Sequence, residues 1–348
     1  MINFNAAILH KQNSNLNIRK IRTQESLLKG QVLVKINYSG ICGSQIGEIK
    51  GVKGKDNYLP HLLGHEGSGT VIKKHSSVKK VKLGDFVILH WKKSQGIQSA
   101  NPEYFFGNKN KKVNAGPLTT FNEYAIVSEN RITKKPENIS VKNSLLLGCA
   151  LSTSYGVIFK DVKSVKNKNI VIYGCGGVGV GIIQFAQIQS AKSIIAVDKF
   201  ENKANHAKKF GANQVLIDDG KNIREKIRNI LKDKEIDVFI DTTGDSSVIE
   251  LGYQIIGKKG KLVLVGVQHH QKKIKINTLG IQLGKKIIGS YGGNIRPDSD
   301  FKKIIQLFTK KNISFNKFMT RSYKLTEINK IIKMFVSGRI LKRPVIKL

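Results

Sequence analysis

The chain has 348 residues, 40% hydrophobic and 24% charged, with 33 Gly and 6 Pro; this excludes a disordered, fibrous or small disulfide-stapled protein and allows two domains of ordinary size. Its formal net charge is +36, but 51 of the 60 basic residues are lysines scattered in pairs such as Lys208-Lys209 and Lys258-Lys259. With Ile and Asn also abundant, they follow A/T-rich codons, so a solvated polycationic surface is expected and no specific nucleic-acid partner.

Up to residue 144 the pattern is of short apolar runs of strand length, at 32–36, 69–72 and 86–89, separated by Gly- and Lys-rich turns, so this half reads as mostly β. After residue 161 the texture changes. Apolar strands at 170–173, 194–197, 215–217, 238–240, 262–265 and 287–288 alternate with helical stretches, including one to about residue 189 and one over 203–210. Alternation of that kind predicts parallel strands joined by crossover helices, and six strands suit a doubly wound sheet. The tail, 301–348, carries two amphipathic helical patterns and a last strand at Val345-Ile346. The longest uncharged stretch, 169–191, is interrupted by glycines and by Gln184, Gln187 and Gln189, so no membrane span is expected. Three cysteines and a start without the basic and apolar regions of a signal peptide point to a reducing, cytoplasmic setting.

Two constellations carry chemistry. Gly174-Cys175-Gly176-Gly177-Val178-Gly179 fits G-x-G-x-x-G, directly after one expected strand and at the start of an expected helix. Gly174 permits the tight turn, Gly176 the approach of backbone to a pyrophosphate, and Gly179 close packing of helix on strand, while the helix start supplies amide donors. Asp198, at the end of the next expected strand, stands where a carboxylate accepts hydrogen bonds from ribose hydroxyls and repels a 2′-phosphate, so NAD is expected over NADP. The second constellation is Cys42, His65 and Cys149, each in a glycine-rich setting. Two thiolates and an imidazole suit Zn²⁺ with an open fourth position; taken by spacing alone, ordinary buried residues would explain them as well.

The motifs Gly-Ile-Cys-Gly at 40–43, Gly-His-Glu-Gly at 64–67, Gly84-Asp85, Gly148-Cys149 with 152–156, the glycine turn, Asp198 and Gly289-Ser290 with Gly292-Gly293 resemble, in that order, those of the zinc-dependent medium-chain alcohol dehydrogenases. The resemblance implies an α/β protein: a GroES-like, mostly β catalytic domain (1–150 and 294–348) and a Rossmann domain with a doubly wound parallel sheet (151–293). It implies Cys42, His65 and Cys149 as the ligands of one catalytic zinc, Ser44 as the hydroxyl that hands the substrate's proton outward, and Glu66 as a carboxylate beside the metal. Thr153 and Val178 would line the nicotinamide, Gly174, Gly176, Gly177 and Gly179 the pyrophosphate turn, Lys203 the adenosine ribose and Arg343 the pyrophosphate. The implied reaction moves a hydride between a small-molecule alcohol, polyol or sugar-derived hydroxyl, or its carbonyl, and NAD, in a homodimer or homotetramer.

Three features depart from that pattern. Gln45 replaces the Asp that many relatives use to orient the zinc-bound His, and a neutral side chain there predicts weaker metal binding. Gly47 stands where some relatives continue the proton relay with His. Residues 91–117 contain no Cys, so no structural zinc lobe is expected; Trp91, Tyr104, Phe105 and Phe106 stand there instead, as a substrate cover, a subunit contact or a self-packed loop. The alternatives are a zinc-independent NAD(P)H quinone or enoyl reductase of the same superfamily and a non-catalytic polycation that binds nucleic acid.

Overall fold

The strands expected after residue 161 form one six-stranded sheet in which every neighbouring pair is parallel. Its order is Gln214–Ile217, Ser193–Asp198, Asn169–Tyr173, Ile236–Asp241, Ile256–Leu264, Lys286–Gly289. The first strand in sequence therefore lies inside, and the chain steps outward from it twice, in opposite directions. That reversal leaves a crevice at the carboxyl end of Asn169–Tyr173, the position where such sheets bind ligands. Asn169–Tyr173 is buried along its whole length, which is why it reads as a continuous apolar run instead of an alternating one. Helix Gly177–Ile188 follows it. On one side of the sheet Val171, Ile195, Val197, Phe239, Leu262 and Tyr253 form a core, each large side chain contributing roughly 1.5–3 kcal/mol of burial.

In this computed structural model, which describes residues 1–107, 111–232 and 234–348, that sheet belongs to one of two compact units, residues 153–295. The other comprises 1–152 and 296–348. It is built on two sheets. The larger runs Ile132–Lys134, Phe86–His90, Glu66–Lys74, Gln31–Gly40, Arg343–Lys347, Met319–Lys324, with Tyr124–Ser128 also on Gln31–Gly40. The smaller runs His61–Leu62, Asn3–Leu9, Asn17–Thr23, Tyr104–Phe106, Lys111–Val113. Two registers in the larger sheet matter for chemistry: Ser39 opposite Gly67 brings Glu66 beside Gly40, and Val345 opposite Gly40 brings Arg343 beside Ile41.

The cysteine-free stretch 91–117 is built into this unit. Tyr104 is fully buried and its hydroxyl accepts the Ile126 N–H at 2.7 Å, and burial holds the phenol well above its ordinary pKa. Phe105 and Phe106 sit on the strand that pairs with Asn17–Thr23 on one side and Lys111–Val113 on the other. Residues 108–110 of the stretch lie outside the described residues. Among the described residues no single helix is long and apolar enough to cross a membrane. The bent pair Val141–Gly148 and Ala150–Val162, which passes on length and composition only, is mostly buried in the protein.

Candidate metal and dinucleotide sites

Cys42 caps the N-terminus of helix Gly43–Ile49, His65 lies in the turn entering strand Glu66–Lys74, and Cys149 joins the 3₁₀ turn Leu145–Gly148 to helix Ala150–Gly156. The fold brings their donor atoms to within 4.8 Å of one another. The Cys42 and Cys149 Sγ atoms are 3.9 Å apart, and His65 Nε2 is 3.3 Å from Cys149 Sγ. A tetrahedral ion with the usual zinc–sulfur and zinc–nitrogen bond lengths sets S···S at about 3.8 Å and S···N at about 3.6 Å, so the donor set suits Zn²⁺ in chemistry, and the two separations that involve Cys149 lie within about 0.3 Å of those values. The electrostatics agree with a ligand pair. The hydrogen bond from Cys149 holds the Cys42 thiol well below its ordinary pKa, and the same bond with burial holds Cys149 well above. For His65, burial opposes protonation, but the neighbouring Cys42 outweighs it and raises the pKa.

Glu66, Arg343 and the backbone at 148–150 form the floor of this site. Glu66 is 0% and Arg343 2% exposed, and Arg343 Nε lies 3.0 Å from Glu66 Oε1. Glu66 Oε2 accepts the Ala150 N–H at 3.1 Å, while Arg343 Nη1 donates to the Ile41 carbonyl at 3.0 Å. Burial pushes Glu66 above the usual carboxylate range against the pull of Arg343. Glycine is required around it: a Cβ at Gly40 would lie 2.1 Å from Glu66 Oε1, and one at Gly148 would lie 2.3 Å from the Leu89 carbonyl oxygen. Thus Arg343, expected from the resemblance at a pyrophosphate, has an interior partner the sequence did not announce.

Ser44 is half-buried in the first turn of the helix that Cys42 caps. Gln45, one residue on, is 5% exposed; its Oε1 accepts the Gly64 N–H and its Nε2 donates to Glu48 Oε2 at 3.1 Å. At Gly47 a Cβ would meet only ordinary contacts with Val52, so the backbone there does not demand glycine.

In the other unit the glycine turn has the form its pattern predicts. Gly174 has φ +94°, and a Cβ there would lie 2.3 Å from Thr242 Oγ1. At Gly179 a Cβ would lie 1.9 Å from the Gly174 carbonyl oxygen, whereas at Gly176 it would meet nothing within 4 Å. So the first and last glycines are fixed by the protein, and the middle one leaves open space. Gly176, Gly177 and Val178 are the partly exposed positions of the turn, at the start of helix Gly177–Ile188, where the first amides have no acceptor within the helix. Asp198 is 7% exposed; its Oδ2 accepts the Cys175 N–H at 2.7 Å and its Oδ1 the Phe200 N–H at 2.9 Å. Lys203 lies 4.8 Å from the centre of the Phe200 ring, and its burial lowers the ammonium pKa against the attraction of Asp198. Thr153 is buried in helix Ala150–Gly156, and the neighbouring Ser154 donates to the Val178 carbonyl at 2.8 Å. Cys175 is buried with its thiol pKa raised, as suits a packing residue.

Residues 28–137 match the model of the alcohol dehydrogenase GroES-like domain and residues 177–310 that of zinc-binding dehydrogenases. The chain belongs to the zinc-type medium-chain dehydrogenase family. It is an α/β, alcohol dehydrogenase-like oxidoreductase. Alcohol dehydrogenase 1 of Solanum tuberosum is 26% identical over 341 residues, covering 90% of this chain and 89% of the relative. A probable S-(hydroxymethyl)glutathione dehydrogenase 1 of Schizosaccharomyces pombe is 23% identical over 338 residues, covering 90% and 89%. Among solved structures, the benzyl alcohol dehydrogenase of Acinetobacter calcoaceticus shares the fold at TM-score 0.87 with 22% identity, covering all of both chains. The galactitol-1-phosphate dehydrogenase of Escherichia coli does so at TM-score 0.78 with 21% identity, covering 99% of this chain and 100% of that one.

Within this family member, two contacts at the site had no local signal in the sequence. Glu66 meets Arg343 only because the last strand pairs with Gln31–Gly40, and Gln45 meets Gly64 only through the tertiary fold.

Proposed function

We propose that this protein is a zinc-containing, NAD-linked dehydrogenase acting on an alcohol, polyol or sugar-derived hydroxyl, or on the matching carbonyl in reverse. The observation that carries the reading is the convergence of two buried thiols and a partly buried imidazole, their donor atoms all within 4.8 Å of one another. Cys42, His65 and Cys149 would hold one zinc, which supplies Lewis acidity toward an alcohol or carbonyl oxygen. The nicotinamide, when bound, accepts or returns the hydride.

The remaining work falls to the chain's own residues. In the oxidation the substrate C–H leaves as hydride to NAD⁺ and the O–H proton passes to solvent, giving the carbonyl, NADH and a proton. Ser44, at the start of the helix capped by Cys42, takes the hydroxyl proton and hands it outward; with glycine at 47 the next carrier is water or another side chain. Glu66, held by Arg343 and the Ala150 N–H, keeps a carboxylate beside the two thiols. The amides of Gly177, Val178 and Gly179 hold the pyrophosphate, with Gly174 and Gly176 shaping the turn, and Asp198 takes the ribose hydroxyls, with Lys203 over the same ribose. Thr153 and Val178 would line the nicotinamide, and the resemblance assigns Arg343 to the pyrophosphate.

A homodimer or homotetramer is proposed through the Rossmann unit. Its sheet ends in the strand Lys286–Gly289, and Leu279, Ile281 and Leu283 just before it are 54%, 41% and 68% exposed. Cytoplasmic residence suits the three free thiols. A zinc-loaded sample should reduce NAD⁺ with at least one member of a panel of primary alcohols, polyols and sugar-alcohol phosphates, read as NADH absorbance. Full activity in Cys42→Ala at low zinc would overturn the reading, and a preference for NADPH with quinones or enoyl thioesters would favour the zinc-independent alternative.

A further inference from the structure

We propose that Gln45 and Glu48 together form the device that positions His65 for the metal, replacing a charged orienting group with a backbone clamp. The inference rests on the reading that Cys42, His65 and Cys149 hold zinc.

The peptide unit between Leu63 and Gly64 is fixed at both ends. Its oxygen accepts the N–H groups of Thr120 and Phe121, each at 3.0 Å. Its N–H is met by Gln45 Oε1. On the far side of this peptide Gly64 has φ +97°, and a Cβ there would lie 2.3 Å from Thr120 Oγ1, so the joint leading into His65 is a glycine packed too tightly for any side chain. Holding the plane of the preceding peptide therefore limits where the His65 ring can point.

Glu48 decides which end of the Gln45 amide does the holding. A backbone N–H only donates and a carboxylate oxygen only accepts, so the geometry admits a single amide orientation: oxygen toward Gly64, NH₂ toward Glu48 Oε2 at 3.1 Å. A flipped amide would lose both bonds. The spacing of three along helix Gly43–Ile49 puts the two side chains on neighbouring positions of one face. Because Cys42 is the N-cap residue of that same helix, the pair also ties the first ligand to the second: one short helix begins at Cys42 and, through Gln45, grips the peptide that leads into Gly64, one residue before His65. Gln45 is 5% exposed, so no bulk water stands ready to take its place, and a buried N–H left without an acceptor is unfavourable.

The test uses the full-length protein with cobalt(II) in place of zinc, whose thiolate charge-transfer and d–d bands report ligand geometry, alongside zinc affinity from chelator competition. Q45L removes both bonds and is expected to weaken zinc about 10- to 100-fold, the range found when groups that orient metal ligands are lost, and to shift the cobalt bands. E48A should act in the same direction and less strongly. Q45E alone sets two carboxylates against each other and loses the amide donor to Glu48, which should outweigh the charge it adds near the ligands and weaken zinc, whereas the exchange Q45E/E48Q keeps an acceptor on the Gly64 N–H and an amide donor between the side chains, and should restore both readouts at least to wild type. A side chain that merely fills space would not distinguish Q45E from the exchange, and that comparison decides the matter if Q45L does not fold. Wild-type affinity and bands in Q45L, or an exchange no better than Q45E, would overturn the proposal. Absence of a thiolate–cobalt band in the wild type would instead overturn the metal reading, and this inference with it.

Discussion

The buried pair of Glu66 and Arg343 makes the most demanding prediction about how this site is held together. Both side chains are nearly inaccessible, at 0% and 2%, and their nearest charged atoms are 3.0 Å apart. Replacing Arg343 with Met leaves the Glu66 carboxylate with the Ala150 N–H as its remaining partner in a site that already pushes its pKa up, and removes the bond to the Ile41 carbonyl. Breaking a buried pair from one side costs about 3–5 kcal/mol, because an uncompensated charge stays inside. That is a large share of the roughly 5–15 kcal/mol that stabilises a typical domain. E66Q should be comparably damaging, since it strands the guanidinium. The double variant E66Q/R343M leaves neither charge, so its loss should fall short of the sum of the single losses by at least about 2 kcal/mol. Chemical denaturation followed by a probe in the unit containing 1–152 and 296–348 measures all four proteins. Additive losses, within about 0.5 kcal/mol, would refute the claim that the two groups compensate each other.

Gly179→Ala would force a Cβ to within 1.9 Å of the Gly174 carbonyl oxygen, so the turn must shift; NAD binding by titration should be lost or severely weakened, whereas Gly176→Ala, with nothing within 4 Å, should keep the fold and weaken only the dinucleotide. Asp198→Asn keeps an acceptor for one backbone N–H but exchanges the other carboxylate oxygen for an NH₂ group; NAD affinity should fall and discrimination against NADP should narrow, both read by calorimetry. His90 has its pKa pushed down from 6.5 to about 4 by burial, against the pull of the Lys92 carbonyl that its ring meets at 2.7 Å. Between those two pH values the unfolded chain binds a proton that the native one does not. The contribution is therefore fully present above about pH 6.5 and is lost as pH falls toward 4, on the order of 3 kcal/mol in all. His90→Gln should flatten that part of the stability profile.

Much of the Rossmann unit was legible because its inner strands are buried and so announce themselves as apolar runs, and because Gly174 and Gly179 occupy positions no other residue fits. Strands such as His61–Leu62, Lys111–Val113 and Met319–Lys324 were not, since two or three residues, or a polar run like that of Met319–Lys324, become strand only through the neighbour they pair with. Helices Ile223–Leu231 and Ser246–Ile255 passed unread, although Asp245 accepts the Ser247 N–H at 2.9 Å as an N-cap and stands where such a residue would be sought. At the metal site the ligand residues carried a family signature. Gln45 and Arg343 were also marked by that signature, but the contacts they make, with Gly64, Glu48 and Glu66, and the bond from the Ala150 amide depend on strand register and burial, which have no local pattern.

The measurement that bears most directly on the proposed activity is the zinc content of freshly purified protein, with Cys42→Ala purified in parallel. The account predicts about one zinc per chain in the wild type and its loss in the variant, because Cys42, His65 and Cys149 supply the donors and residues 91–117 contain no cysteine to hold a second ion. A wild type without zinc, or a variant that retains it, would contradict the account.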